Sequence, residues 1–283
     1  MKIVAVVTAS SNSGAQAVET LLLDGSVLVR AGFRSAAKAE ALNKKWPDCE
    51  RLQIVTGIDA AEPDTLTEIM KGADFCICVT PHFDFAKDAE LSCNMCQKAA
   101  DAGAHIVYVG SWTVRVPETT IAKRFVPTES FLKSLKEVPW TSLRSGYFAG
   151  NYATLFSGTD VYFPDISVPP VDPKDIGRVA AAICLDEDPQ KHAYKYYDIS
   201  GPENLTTSEI VKKVEKATGK SFNYHPLPVD TLQGPPPFLI ELIKDIHAHP
   251  LPCSTTVMDL TKQHTHFDTY LQSHLHDFIG EKR

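Results

Sequence analysis

Positive charge is in short supply. The 283 residues carry 28 Lys+Arg against 35 Asp+Glu, a formal net charge of −7. That balance lacks the basic excess that nucleic acid or an anionic membrane needs in a main partner. Long apolar runs are missing too, so no stretch is expected to span a bilayer. The apolar run at the N-terminus is only strand-length and lacks a cleavage pattern, so no signal peptide is read there. No internal repeat and no low-complexity segment interrupts the chain. Seven cysteines, an odd number without a leader, point to reduced thiols and a cytoplasmic protein. Cys93-x-x-Cys96 has no second pair at zinc spacing. Together with Cys76 and Cys78 it reads as small buried hydrophobes. The late pairs His264/His266 and His274/His276 point to different sides of a helix, so no metal site is expected. A Tyr-x-x-x-Lys pair, which lowers a phenol's pKa for proton donation during carbonyl reduction, does not occur.

What is present begins at the first residues. Lys2–Val7 is a β-branched apolar run, Thr8–Gly14 is small and polar, and Ala15–Leu23 has helical spacing with Val18, Leu21 and Leu22 on one side. This is a buried strand, a tight turn and a helix. Such a turn aims main-chain N–H groups at the start of the helix, where a pyrophosphate can sit. The dinucleotide fingerprint places three glycines there, but this sequence has Thr8, Ser11 and Gly14. The substituted side chains either narrow the space for phosphate or offer it hydroxyls.

The same alternation continues. Strands are expected at Ser26–Phe33, Gln53–Val55, Phe75–Val79, His105–Val109 and Trp140–Arg144. Helices are expected at Ala36–Lys45, Glu62–Lys71, Phe85–Ala102 and Glu129–Lys136. This order implies an α/β protein with a doubly wound parallel sheet, whose ligands bind beyond the carboxyl ends of the strands. After Asn151 the texture changes. A proline-rich crossover, Phe163–Pro173, leads to a helix ending at Leu185, a strand Tyr194–Ile199 and a helix Thr206–Thr218. Gly234–Pro237 is a rigid loop, and the remainder is helical apart from Pro250 and Pro252.

Residues just past the strand ends are therefore the candidates. For a bound dinucleotide they are Thr8, Ser10, Ser11, Asn12, Ser13, Gly14, Arg34, Lys38, Asp59, Thr80 and Pro81. Arg34 carries the most information. An acidic residue after the second strand would bind the ribose 2′-hydroxyl of NAD, whereas a guanidinium pairs with the 2′-phosphate of NADP. Lys38, one helical turn on, adds a charge. Ser111 ends the fifth strand and can hydrogen-bond a substrate carbonyl or a carboxamide. Tyr147 follows the sixth strand and either donates a proton or packs against a ring. Ser111 and Tyr147 are the candidate catalytic pair.

In combination these pieces resemble the NmrA-like group of atypical short-chain dehydrogenases/reductases. The likeness rests on Val7–Gly14, Arg34, Tyr108–Trp112, Glu129-x-Phe131-Leu132, Val138–Phe148 with Asn151–Tyr152, Val171–Gly177 and Ile199–Thr206. It implies a Rossmann domain, a smaller C-terminal substrate domain, and NADP(H) as cofactor. On this reading residues 1–152 form the NAD(P)-binding domain, with 172–200 packing back onto it, and 153–171 with 201–283 form the substrate-binding region. The family holds oxidoreductases of small molecules and non-catalytic redox sensors. The expected function is thus an NADPH-dependent reductase of a small carbonyl or conjugated substrate. The alternative is an NADP(H)-sensing regulator that binds a protein partner. One departure concerns a lysine often found four residues before the Glu-x-aromatic-Leu glutamate. Phe125 stands there, with Lys123 and Arg124 beside it.

Overall fold

The computed structural model describes residues 1–81, 85–233 and 235–279. His82, which follows the fourth strand in the sequence, and Gly234, with which the expected rigid loop begins, lie outside them. In chain order the elements are β1 (Lys2–Val6), α1 (Asn12–Asp24), β2 (Val27–Phe33), α2 (Ala36–Lys45), β3 (Leu52–Thr56), α3 (Thr67–Met70), β4 (Phe75–Val79), α4 (Asp88–Asp101), β5 (His105–Ser111), α5 (Val126–Ser134) and β6 (Trp140–Ser145). Then come β7 (Asp160–Phe163), β8 (Ser167–Val168), α6 (Pro173–Leu185), β9 (Lys195–Ile199), β10 (Leu205–Thr206), α7 (Thr207–Thr218) and β11 (Asn223–Pro226). Four helices close the chain: α8 (Pro237–Ala248), α9 (Thr256–Thr261), α10 (Phe267–Ser273) and α11 (Leu275–Phe278).

These elements form two compact units, Met1–Arg144 with Pro173–Asp198, and Ser145–Asp172 with the chain from Ile199. The first unit holds a seven-stranded sheet in the order β3-β2-β1-β4-β5-β6-β9. Strand β1 pairs in parallel with β2 on one side, Val4 opposite Val29, and with β4 on the other, Val4 opposite Phe75. The chain therefore reverses direction across the sheet at β1/β4, the switch point beyond which doubly wound sheets bind ligands. At the far edge Tyr194 N–H donates to Trp140 O, and Gly146 N–H to Ile199 O, so β9 runs parallel to β6. Strand β4 is buried along its whole length, as a strand covered on both faces must be. Helix α1 buries Ala17, Val18, Leu21 and Leu22, at about 1.5–3 kcal/mol for each of the larger side chains. Helix α6 crosses α1 at Gly177, where a Cβ would lie 2.2 Å from Ser13 O and 2.9 Å from Ala17 N. Only hydrogen fits at that crossing.

The segment 62–71, expected as one helix, is a 3-10 turn over Pro63–Leu66 followed by the single turn α3. The Thr65 hydroxyl accepts from Asp59 N–H (2.8 Å) and serves the Asp59 and Glu62 carbonyls (3.0 and 2.7 Å), which holds the chain in a compact loop. In the second unit β8 pairs antiparallel with β10, and β7 pairs parallel with β11. Tyr152, Phe156, Phe267 and Phe278 form its aromatic core. Thr206 and Glu209 cap α7 reciprocally. Helix α8 ends before Pro250 and Pro252, as residues that cannot continue a helix require.

Candidate functional site

The turn from β1 into α1 is built from hydroxyls that look inward. Thr8 Oγ1 donates to Val79 O (2.9 Å), Ser11 Oγ to Thr8 O (2.9 Å) and Ser13 Oγ to Pro173 O (3.0 Å). Ser11 is also the N-cap of α1, and its oxygen accepts the Gly14 N–H at 3.0 Å. The side chains that replace two glycines therefore brace the turn. The N–H groups of Asn12 and Ser13, in the first turn of α1, keep no partner among the described residues, which leaves them to an anion. Gly14 remains because a Cβ there would lie 2.2 Å from Thr8 O.

Beside this turn, at the carboxyl ends of β1, β2 and β3, lies a recess open to solvent. It is lined by Val7, Thr8, Ser10, Gly32, Arg34, Lys38, Ile58, Asp59, Ala60, Leu66, Pro81, Leu91 and Met95. Its floor is apolar and its rim is charged. The Arg34 guanidinium pairs with Asp59 Oδ2 at 2.8 Å, with side-chain exposures of 61% and 30%. The other oxygen, Oδ1, accepts from Ala61 N–H (3.0 Å), so the carboxylate is held by its own loop. Thr8, Ser10, Arg34, Lys38, Asp59 and Pro81 are thus brought together, with Ser11, Asn12, Ser13 and Gly14 in the adjoining turn. Thr80 is not part of the lining. Its hydroxyl is buried between β4 and β5, 3.0 Å from Tyr108 Oη and 3.1 Å from Val109 O.

Ser111 ends β5 and caps the 3-10 turn Trp112–Arg115, accepting from Thr113 N–H (3.3 Å) and facing Thr113 Oγ1 at 3.1 Å. Tyr147 belongs to the second unit, buried with its ring 5.4 Å from that of Tyr152. Burial pushes its phenol above the usual range, and no charge offsets this. Arg124, beside the position of the missing lysine, is buried in an ion pair with Asp88 (2.6 Å) and lies under the Phe85 ring at 4.2 Å. Glu129 accepts from Ser142 Oγ (2.8 Å) and from Arg144 Nε (2.9 Å), tying α5 to β6.

Of the apolar lining, Val7, Gly32, Ile58, Ala60, Leu66, Leu91 and Met95 are absent from the sequence-derived candidates. One signal for Gly32 was available: a glycine inside a strand marks a close approach. A Cβ there would stand 2.4 Å from Ile58 Cδ1 and 2.8 Å from Val7 O. All seven cysteines are free, Cys96 buried beside Cys78 and Cys93 against Thr128 Oγ1 (3.5 Å). No group of residues able to hold a metal ion occurs among the described residues, and no helix there is long and apolar enough to cross a membrane.

Parallel strands, a switch point and an open helix N-terminus define a Rossmann-like protein. The NmrA-like family matches residues 1–248, and the chain belongs to that family. It is 27% identical over 204 residues to a (4-alkanoyl-5-oxo-2,5-dihydrofuran-3-yl)methyl phosphate reductase of Streptomyces griseus, covering 69% of this chain and 68% of that one. Its fold matches that of the NADPH-dependent quinone oxidoreductase QOR2 from Escherichia coli in complex with NADPH. The TM-score is 0.79 at 21% identity, covering 96% and 99% of the two chains. It also matches NmrA, a negative transcriptional regulator, in complex with NAD, with a TM-score of 0.74 at 17% identity, covering 96% and 95%.

Proposed function

We propose that this protein is an NADP(H)-dependent oxidoreductase of a small carbonyl or conjugated substrate. The observation that carries the reading is the recess at the ends of β1–β3, where Arg34 and Lys38 share one rim beside the unpartnered Asn12 and Ser13 amides. The residues fit the cofactor. The inward hydroxyls leave the helix terminus clear, the apolar floor suits a flat base, and the rim carries two cations for a 2′-phosphate. The Asn12 and Ser13 amides would hold the diphosphate, with Gly14 keeping the turn free of a side chain. Ile58, Leu66 and Pro81 would hold the adenine, and Arg34 and Lys38 the 2′-phosphate. The dihydronicotinamide supplies hydride. Ser111, at the end of β5, would hydrogen-bond a carbonyl or carboxamide. The reductase to which this chain is 27% identical, and the quinone oxidoreductase that shares its fold, support this direction.

A second reading, a non-catalytic NADP(H) sensor, is favoured by one observation. The Tyr147 phenol is buried and raised, without the basic neighbour that makes a tyrosine a proton donor. NADPH oxidation assayed with a panel of enones, quinones and aldehydes separates the two. Turnover of any of them supports the reductase, and tight binding with no turnover supports the sensor. Arg34→Ala is expected to weaken NADPH by about tenfold and leave NADH unchanged; equal loss of both would refute the assignment of Arg34.

A further inference from the structure

The rim of the recess carries a contradiction of charge. Arg34, placed where a guanidinium favours a phosphorylated ribose, is not offered bare. Its Nη2 is 2.8 Å from Asp59 Oδ2, and that carboxylate lines the same recess. A 2′-phosphate reaching Arg34 would bring close to two negative charges beside a third. A ribose hydroxyl would bring none. Asp59 is also not free to swing away, because Oδ1 is engaged by Ala61 N–H and its main chain is pinned by Thr65.

We infer that Asp59 is an internal competitor for Arg34 that sets the coenzyme preference of the recess. It screens the guanidinium from the 2′-phosphate and brings NADPH and NADH closer in affinity than Arg34 alone would. This rests on the coenzyme reading given above and deepens it. In that arrangement Arg34 recruits the phosphorylated coenzyme, Lys38 on the next helical turn assists, and Asp59 limits the discrimination.

The test compares the whole protein with Asp59→Asn, Arg34→Ala and the double variant. The probes are NADPH, NADH, adenosine 2′-monophosphate and adenosine 5′-monophosphate, with dissociation constants measured at low and high salt. Asparagine keeps an oxygen for Ala61 N–H, so the loop retains its turn. D59N is expected to tighten NADPH and the 2′-monophosphate by roughly three- to tenfold, as removal of one partly exposed charge allows. NADH and the 5′-monophosphate stay within a factor of about two. The gain shrinks at high salt and vanishes in the Arg34→Ala background. A gain shared equally by all four probes, no gain at all, or a gain that survives loss of Arg34 overturns the inference while leaving coenzyme binding intact. Failure of the unaltered protein to bind either coenzyme overturns the coenzyme reading, and this inference with it.

Discussion

Gly14 is fixed by the carbonyl oxygen of Thr8, which leaves no room for a methyl group. Gly14→Ala is expected to cost about 1–3 kcal/mol, the range for overpacking, read as a lower urea midpoint at unchanged m. NADPH-dependent stabilisation should disappear with it, because the first turn of α1 must shift. His105 makes a prediction of the opposite kind, one of pH. Burial, with His192 adding to it, holds its imidazole down at about 4, while Nε2 lies 2.8 Å from Thr141 Oγ1. The Thr141 hydroxyl donates to His192 O (2.7 Å), so Nε2 is the donor to it. The unfolded histidine, with its ordinary value near 6.5, takes a proton that the folded one refuses. Stability from this residue is therefore complete above about pH 6.5 and is lost as pH falls towards 4, by up to about 3 kcal/mol. His192, also lowered chiefly by burial, works in the same direction. Denaturant midpoints between those pH values measure the slope, and His105→Gln should flatten it. Residues at this scale were only partly legible. Arg34 and Asp59 announce themselves by following strands. The Thr80 hydroxyl turns between β4 and β5 because of strand register, which one sequence does not reveal.

Among the elements, the crossing of α1 and α6 depends on one missing side chain. Gly177→Ala should force the helices apart, and a loss of about 1–3 kcal/mol in thermal or urea unfolding is expected. Thr206→Ala removes the hydroxyl of a reciprocal cap, for a loss of about 1 kcal/mol, with no change in coenzyme binding because α7 lies in the other unit. Elements were the most legible level. Buried apolar runs such as Val4–Val7 and Cys76–Val79 are strand-length and bounded by polar turns, which reads as strands covered on both faces. The exception is instructive. Residues 62–71 carry a helical pattern in Leu66, Ile69 and Met70, all buried. The bonds from Thr65 to Asp59 tighten the first half into a 3-10 turn, a side-chain effect that periodicity does not encode.

For the molecule as a whole, a ligand that binds only the native state must raise its stability. Saturating NADPH at a hundred times its dissociation constant is expected to add about 2.7 kcal/mol. An upward shift of the melting temperature that grows with coenzyme concentration is the readout, and its absence would count against the recess as a coenzyme site. The doubly wound parallel sheet was readable from strand-helix alternation; the strand order that puts its reversal at β1/β4 came only with the structure. In the second unit helix α7 was readable, but the strand pairing was not, because the short β7–β11 and β8–β10 pairs hold few residues each and their partners lie far apart in sequence.

The first unit is stitched from two separated stretches, and its outermost strand comes from the later one. A nascent polypeptide leaving the ribosome will have made six of the seven strands while the edge at Trp140–Ser145 still waits for Lys195–Ile199. During that interval the exposed ladder, and Trp140 without the cover of Tyr194 and Tyr196, form a site for chaperone capture or for mispairing with another newborn chain.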